Sequence, residues 1–298
     1  MIKSIINTKN IKGSDVILVS AAYEKTASSH KGTVNGPAKV VACLDTQIEF
    51  FDRKFKVNVN DRVLTAHQDL GNLESLSPEE TLNKIKGTCE ELIRDNKFIL
   101  LLGGEHSVST GHLQALAKKY PPEDVTILLI DAHCDLRNDD SDYSETPSPL
   151  AHSTVMRRAS ELGYKIIQVG IRTYHEDEYK YFNNKANNIT VFEWGNNKKI
   201  PTIKEIIKSI KTKYLYISID TDGFDPSVMP GTGTPVPGGL TWEYGVELIT
   251  EAINKKELIG ADIVEVSPMQ GSVLTEYSVA QLVYSIIAEK FREKLSSV

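Results

Sequence analysis

The sequence predicts a three-layer α/β/α fold built on a mainly parallel, doubly wound sheet. Three observations carry that expectation. Short apolar, β-branched runs such as Val125–Ile130 recur along the chain; they are too short for helices and read as strands buried on both faces. Helically spaced stretches separate them, with no linker-like change of composition and no internal repeat. Several of the runs end abruptly in His, Asp or Glu, and open parallel sheets gather their ligands at that edge. With 298 residues, 40% hydrophobic and 25% charged, the chain can fill a large core, and a single domain over residues 1–298 is expected.

In order along the chain, the first strand falls at residues 16–20. A polar loop runs to Gly36-Pro37, and that turn opens a helix over 38–51. Residues 56–59 and 62–64 read as two short strands. Ser77, with Pro78 at the first helical position, starts a helix reaching about residue 96. The strand at 98–102 ends in Gly103-Gly104-Glu105-His106-Ser107, after which helical spacing resumes to Tyr120 and stops at Pro121-Pro122. Strand 125–130 passes directly into Asp131-Ala132-His133-Cys134-Asp135. Residues 136–150 form a long acidic loop, the kind that is functional or mobile in a compact domain. A helix at 153–162 and strands at 165–170 and 188–192 follow. A helix at 201–212, a strand at 214–219, a rigid Pro/Gly-rich loop at 223–239 and a helix at 241–255 come next. A last strand at 259–266 and a closing helix at 279–295 complete the chain.

If the strand pleat continues past Ile130, Asp131, His133 and Asp135 point one way, and Ala132 and Cys134 the other. The same pattern recurs three times. Leu102 leads to His106 through two glycines, Ile219 leads to Asp220-Thr221-Asp222, and the last strand ends at Glu265. In a parallel sheet these ends share one edge, so His106, Asp131, His133, Asp135, Asp220 and Asp222 can share one cleft. Four carboxylates and two imidazoles are too many for one zinc, whereas oxygen-rich ligation with some imidazole suits a pair of Mn²⁺ ions. Without metal, such a cluster concentrates negative charge in a low-dielectric cleft.

The segments 103–107, 131–135 and 218–226, with Pro230-Gly231-Thr232-Gly233-Thr234-Pro235 and Val264-Glu265-Val266-Ser267-Pro268, resemble the signatures of the ureohydrolases, the arginase and agmatinase family. The likeness runs from about Gly32 to the closing helix and implies an arginase-like fold with two Mn²⁺ ions per subunit. By that resemblance His106 and Asp135 complete one ion's shell, His133 and Asp222 the other's, and Asp131 and Asp220 bridge. Water activated by the two cations attacks the planar guanidinium carbon. Glu265 orients the guanidinium, Asp135 passes a proton to the departing amine, and His152 matches the family's shuttle histidine.

Arginases resemble one another in an Asn-rich loop after the metal motif and in Asp residues after the Gly-Leu-Arg strand end. Here Leu136-Arg137-Asn138-Asp139-Asp140 and Thr173-Tyr174-His175 stand there instead, which disfavours an amino-acid head group. The Gly-Gly-Glu-His variant and the Ala151-His152-Ser153-Thr154 segment look more like agmatinases, so agmatine hydrolysis to putrescine and urea is expected. Val236, where agmatinases commonly have Glu, and Gln270-Gly271, where they tend to have Asp, can reshape the far end of the pocket for a longer polyamine. N1-aminopropylagmatine, guanidinobutyrate and arginine are the alternatives. Asp139, Asp140 and Asp142 could then meet the distal ammonium groups, although a solvated loop is the ordinary reading.

A formal charge of -6 and the lack of a Lys/Arg stripe disfavour nucleic acid and suit a small cationic substrate. The three cysteines, odd in number and widely spaced, argue against a disulfide framework. No apolar run is long enough for a bilayer and the first ten residues lack a signal-like core, so a soluble, cytoplasmic protein without membrane contact is expected. The resemblance adds a homo-oligomer, trimer or hexamer. His67 and His112 lack ligand spacing and read as surface or packing residues; His30 and His175 could rim the pocket, though loop histidines usually do not, and Cys134 reads as a packing residue. A non-catalytic metal-holding homologue and a two-metal phosphatase are the competing functions. The catalytic complement His152, Asp135 and Glu265 disfavours the first, and the lack of a basic phosphate clamp the second.

Overall fold

The computed structural model describes residues 4–195 and 198–296. Its strands are β1 (Val16–Ala22), β2 (Thr65–Asn72), β3 (Phe98–Gly103), β4 (Val125–Ile130), β5 (Lys165–Ile171), β6 (Ile189–Glu193), β7 (Tyr214–Asp220) and β8 (Glu257–Val264). They form one sheet in the order β2-β1-β3-β8-β7-β4-β5-β6, and every neighbouring pair is parallel. The helices are α1 (Gly36–Thr46), α2 (Pro78–Arg94), α3 (Ser109–Leu116), α4 (Val155–Glu161), α5 (Glu176–Asn183), α6 (Ile203–Ser209), α7 (Trp242–Lys255), α8 (Leu274–Lys290) and α9 (Arg292–Ser296).

Strand alternation divides the interior into two cores. Leu128 and Ile130 of β4 face one side with Leu44 of α1, Leu248 of α7 and Val283 of α8. Val125, Ile127 and Leu129 face the other with Ile85 of α2, Leu113 of α3 and Val155 of α4. Helices cover both faces, as βαβ crossovers require.

Several elements depart from the sequence reading. Residues 56–59 and 62–64 are not strands: Asn58 makes only an isolated bridge to Phe51, and Val59–Asp61 is a helical turn. The strand is β2 instead, an edge element with no apolar run that pairs only with β1. α1 ends at Thr46, where the Gln47 N–H closes on the Cys43 carbonyl, and the apolar pattern beyond it belongs to irregular chain. α3 ends at Leu116 rather than Tyr120. α5, with a mostly exposed sequence EDEYKYFN, had no apolar face to announce it. α8 starts at Leu274, and a separate α9 follows it.

The four adjacent central strands β3, β8, β7 and β4 end level. Leu102 pairs with Ile263, Ile263 with Ile219, and Ile219 with Ile130. The residues that follow these four positions therefore emerge together at the carboxyl edge, where open parallel sheets bind their ligands.

Candidate metal centre

After β3 the chain must turn against β1, and only glycine fits at 104. A Cβ there would lie 2.0 Å from the Tyr23 carbonyl oxygen. The Gly104 N–H donates to Ala21 O at 2.9 Å and the Glu105 N–H to Tyr23 O at 2.8 Å, which fixes where His106 begins.

The ring of His106 is set from behind. Ser218 Oγ donates to Asp262 Oδ1 at 2.7 Å, so its lone pair is left for the Nε2–H of His106 at 2.9 Å. In the neutral ring Nδ1 is thereby the deprotonated nitrogen, and it faces Asp135 at 2.9 Å, Asp131 at 3.4 Å and Asp220 at 3.7 Å. Asp262 also accepts from Tyr216 Oη at 2.6 Å, and Tyr216 meets Nδ1 of the buried His112 at 3.0 Å. His112 is thus a packing residue, but one wired to this network.

After β4 the pleat does not continue. Asp131 N donates to Val169 O, the chain bends, and Asp135 takes a φ of 51° in the left-handed region. The expected convergence occurs by this bend instead. His133 Nδ1 lies 3.0 Å from Asp222 and 3.6 Å from Asp131. Cys134 packs in the core and Gln168 Nε2 donates to its carbonyl, in agreement with its expected packing role. Asp222 is held by Thr234 Oγ1 at 3.0 Å and receives the Ala132 N–H at 3.0 Å.

The last strand stops at Val264, earlier than expected, because Glu265 adopts φ 62°. Its N–H donates to Gly104 O and its Oε1 accepts from the His106 N–H, both at 2.8 Å. Oε2 lies toward Gly233, whose Cβ position would be 3.7 Å away.

His106, Asp131 and Asp135 form one group of potential ligand atoms within 4.8 Å of one another, and Asp131, His133 and Asp222 form a second. Asp131 belongs to both. Nδ1 of His106 and Oδ2 of Asp131 are buried with no hydrogen-bond partner, although buried polar atoms are normally paired. Two orphaned donor atoms facing further carboxylates are what a cation would satisfy, and the residues fit a metal pair.

Protein groups alone leave this cluster electrostatically unsettled. Burial, followed by the neighbouring Asp131, pushes Asp135 up to about 7. Burial and Asp222 raise Asp220 well above the carboxylate range, and burial and Glu105 do the same to Glu265. Burial opposes charge on His106 and His133, yet the surrounding carboxylates outweigh it and hold both above the ordinary imidazole value. Divalent cations supply the positive charge that protons otherwise must.

The cluster opens into a cleft of about 350 Å³ lined by His133, Asp135, Tyr143, His152, Tyr174 and Glu265, among others. His152, at the start of a helical turn, meets the Tyr143 hydroxyl at 3.2 Å. Burial pushes its imidazole down to about 3, helped by positive charge on His133 and His106. His175 does rim the cleft, the less usual of the two readings open to a loop histidine; its Nδ1 accepts from the Asp177 N–H and caps α5. The acidic-loop carboxylates do not line it. Asp140 is buried and accepts from the Ser148 N–H, Asp139 closes a local turn with Ser141, and Asp142 pairs with Arg137.

Sequence reasoning missed Arg172. Its guanidinium donates to the carbonyls of Asp222 and Val236, both at 2.6 Å, and of Gly170 at 2.9 Å, while its N–H reaches Ala132 O. It ties the β4 tip, the β7 tip and the 230s loop together. An arginine directly after a buried strand was the available signal.

A model of the Arginase family matches residues 14–288. The chain is 33% identical over 290 residues to the N(1)-aminopropylagmatine ureohydrolase of Synechocystis sp., covering 94% of this chain and 91% of that one. It is 30% identical over 268 residues to the agmatinase of Bacillus subtilis, covering 86% and 84%. The solved agmatine ureohydrolase of Thermoplasma volcanium superposes with a TM-score of 0.82 at 27% identity, over 99% of this chain and 95% of that one. Among the described residues, no helix is long and apolar enough to cross a membrane.

Proposed function

The chain belongs to the arginase family, hydrolases of the C–N bonds of linear amidines, and we propose that it hydrolyses agmatine to putrescine and urea at a pair of Mn²⁺ ions. The observation that carries the metal reading is the pair of orphaned buried atoms, Nδ1 of His106 and Oδ2 of Asp131, at the junction of the two ligand groups. His106 and Asp135 would hold one ion, His133 and Asp222 the other, with Asp131 and Asp220 between them. When bound, such cations lower the pKa of water and offset the carboxylate charge.

The chain's own groups do the rest. Glu265, with Oε1 engaged by His106 N–H, keeps Oε2 to accept from the substrate's guanidinium, a charge-assisted bond that orients the planar carbon. Asp135 takes up the proton released by the attacking water and passes it on toward the departing amine through His152. His152 supplies the proton that the amine nitrogen needs to depart. Among the described residues lining the cleft, the guanidinium of Arg137 is paired with Asp142 and not left for an α-carboxylate, which supports a decarboxylated guanidine over arginine.

A second reading is N1-aminopropylagmatine. The exposed rings of Tyr143 and Tyr174 at the cleft support it, because a longer cationic arm can lie against aromatic faces there. The Synechocystis relative carries that name. A cytoplasmic homo-oligomer, trimer or hexamer, remains part of the proposal on family grounds. Urea release from agmatine, N1-aminopropylagmatine, guanidinobutyrate and arginine by the Mn²⁺-loaded protein tests the assignment. Agmatine should give the highest kcat/KM. A larger value for the aminopropyl derivative selects the second reading, and arginine as the best substrate overturns both.

A further inference from the structure

The acidic loop after the β4 tip keeps its carboxylates out of the cleft, yet it is well tied. Asp140 accepts from the Ser148 N–H, and its carbonyl accepts from the N–H groups of Tyr143 and Ser144. Arg137 N–H donates to Ser153 O and Thr154 Oγ1 to Pro149 O, which close the loop's two ends. Asp142 holds the Arg137 guanidinium, which lies 5.9 Å from the Tyr143 ring centre. Arg137, Asp139, Asp140 and Asp142 thus fix the loop's own shape, and beside the paired Arg137 the side chain the loop delivers to the cleft is Tyr143.

The Tyr143 hydroxyl is bonded to Ser153 Oγ and lies 3.2 Å from His152 Nε2, with the two rings 5.8 Å apart. We propose that Tyr143 is the positioning residue for His152 in proton delivery, and that setting this contact is what the acidic loop is for. The inference rests on the proton-donor reading of His152. Once the imidazole takes up at Nδ1 the proton that Asp135 passes on, Nε2–H donates to the Tyr143 oxygen and Tyr143 O–H donates to Ser153 Oγ. The Nδ1 proton then passes to the departing amine nitrogen, whose C–N bonding pair accepts it, and a neutral imidazole still held through Nε2–H remains. Tyr143 thereby selects which ring nitrogen exchanges the proton.

Tyr143→Phe keeps the ring and removes the hydroxyl at a 39%-exposed position where a fold change is not expected. In the Mn²⁺-loaded protein it should lower kcat by about tenfold while KM stays within about twofold, with bound manganese unchanged. Mass spectrometry of diethyl pyrocarbonate labelling gives a second reading, independent of turnover. The His152 peptide should react about threefold or more faster in the variant, because the ring is no longer held as the Nε2–H tautomer and an unprotonated Nε2 also becomes open to the reagent. An unchanged labelling rate overturns the proposal, as does a raised KM with intact kcat, which would make Tyr143 a wall of the cleft. If the wild type releases urea from no guanidine, the proposed function falls, and the labelling arm still decides whether Tyr143 engages His152.

Discussion

Ser218 Oγ stands 2.9 Å from Nε2 of His106 and 2.7 Å from Asp262, and so joins an interior carboxylate to the imidazole at the cleft floor. Removing this hydroxyl frees the ring to rotate or change tautomer. Ser218→Ala should weaken Mn²⁺ binding by about 10–100-fold, the usual cost of losing a ligand's hydrogen-bond partner. Calorimetric titration of Mn²⁺ into the variant measures it; wild-type affinity would mean that packing alone orients His106.

Metal should also stabilise the fold. The raised Asp135, Asp220 and Glu265 carboxyls crowd together, and the His106 and His133 imidazoles offset only part of their charge. A ligand at a hundred times its Kd adds about 2.7 kcal/mol. Chelation should therefore abolish urea release and lower Tm by several degrees, and added Mn²⁺ should restore both. A Tm indifferent to Mn²⁺ contradicts the site.

His152 should matter to turnover and not to metal loading. His152→Asn should lower kcat by about a hundredfold or more, the common contribution of a positioned proton donor. Metal analysis beside steady-state kinetics checks this. A loss of manganese in the variant would recast His152 as part of the metal site.

A pH effect follows from His112, far from solvent against Tyr216. Burial pushes its imidazole down to about 3, below the ~6.5 of a free histidine. As pH falls through ~6.5 the unfolded chain binds a proton that the folded chain refuses. Stability is thus full above that pH and declines as pH drops toward the folded value. His112→Phe, which leaves Tyr216 donating to Asp262, should flatten the decline by about 1.4 kcal/mol per pH unit between about pH 6.5 and pH 5. Urea unfolding of both proteins in chelator measures the two slopes, and parallel slopes would exclude His112 as the cause.

The centre of the molecule was readable because its strands are buried on both faces. β3 is an unbroken apolar run, β4 and β7 are apolar but for Thr126 and Ser218, and the residue types change where each run stops. The edges were not readable for the same reason. β2 (TAHQDLGN) is held by backbone bonds to one neighbour and needs no apolar signature. α5 is capped by a histidine ring nitrogen, outside the usual Ser/Thr/Asp/Asn set. At the site, residue types gave the cluster's membership, while its geometry came from two left-handed residues, Asp135 and Glu265, that no spacing rule anticipates. Charge in the 138–151 loop was visible, but the inward turn of Asp140 and the Arg137–Asp142 pairing depend on the folded loop.

The level strand ends of β3, β8, β7 and β4 form the floor, whereas Tyr143, His152, Tyr174 and His175 reach the cleft from the connections beyond them. The cation-holding residues and the outer walls of the cleft are thereby encoded in separate stretches of the gene. Transplanting residues 173–178 from a relative with another appetite would reshape one wall and leave the foundation and the Tyr143–His152 contact in place.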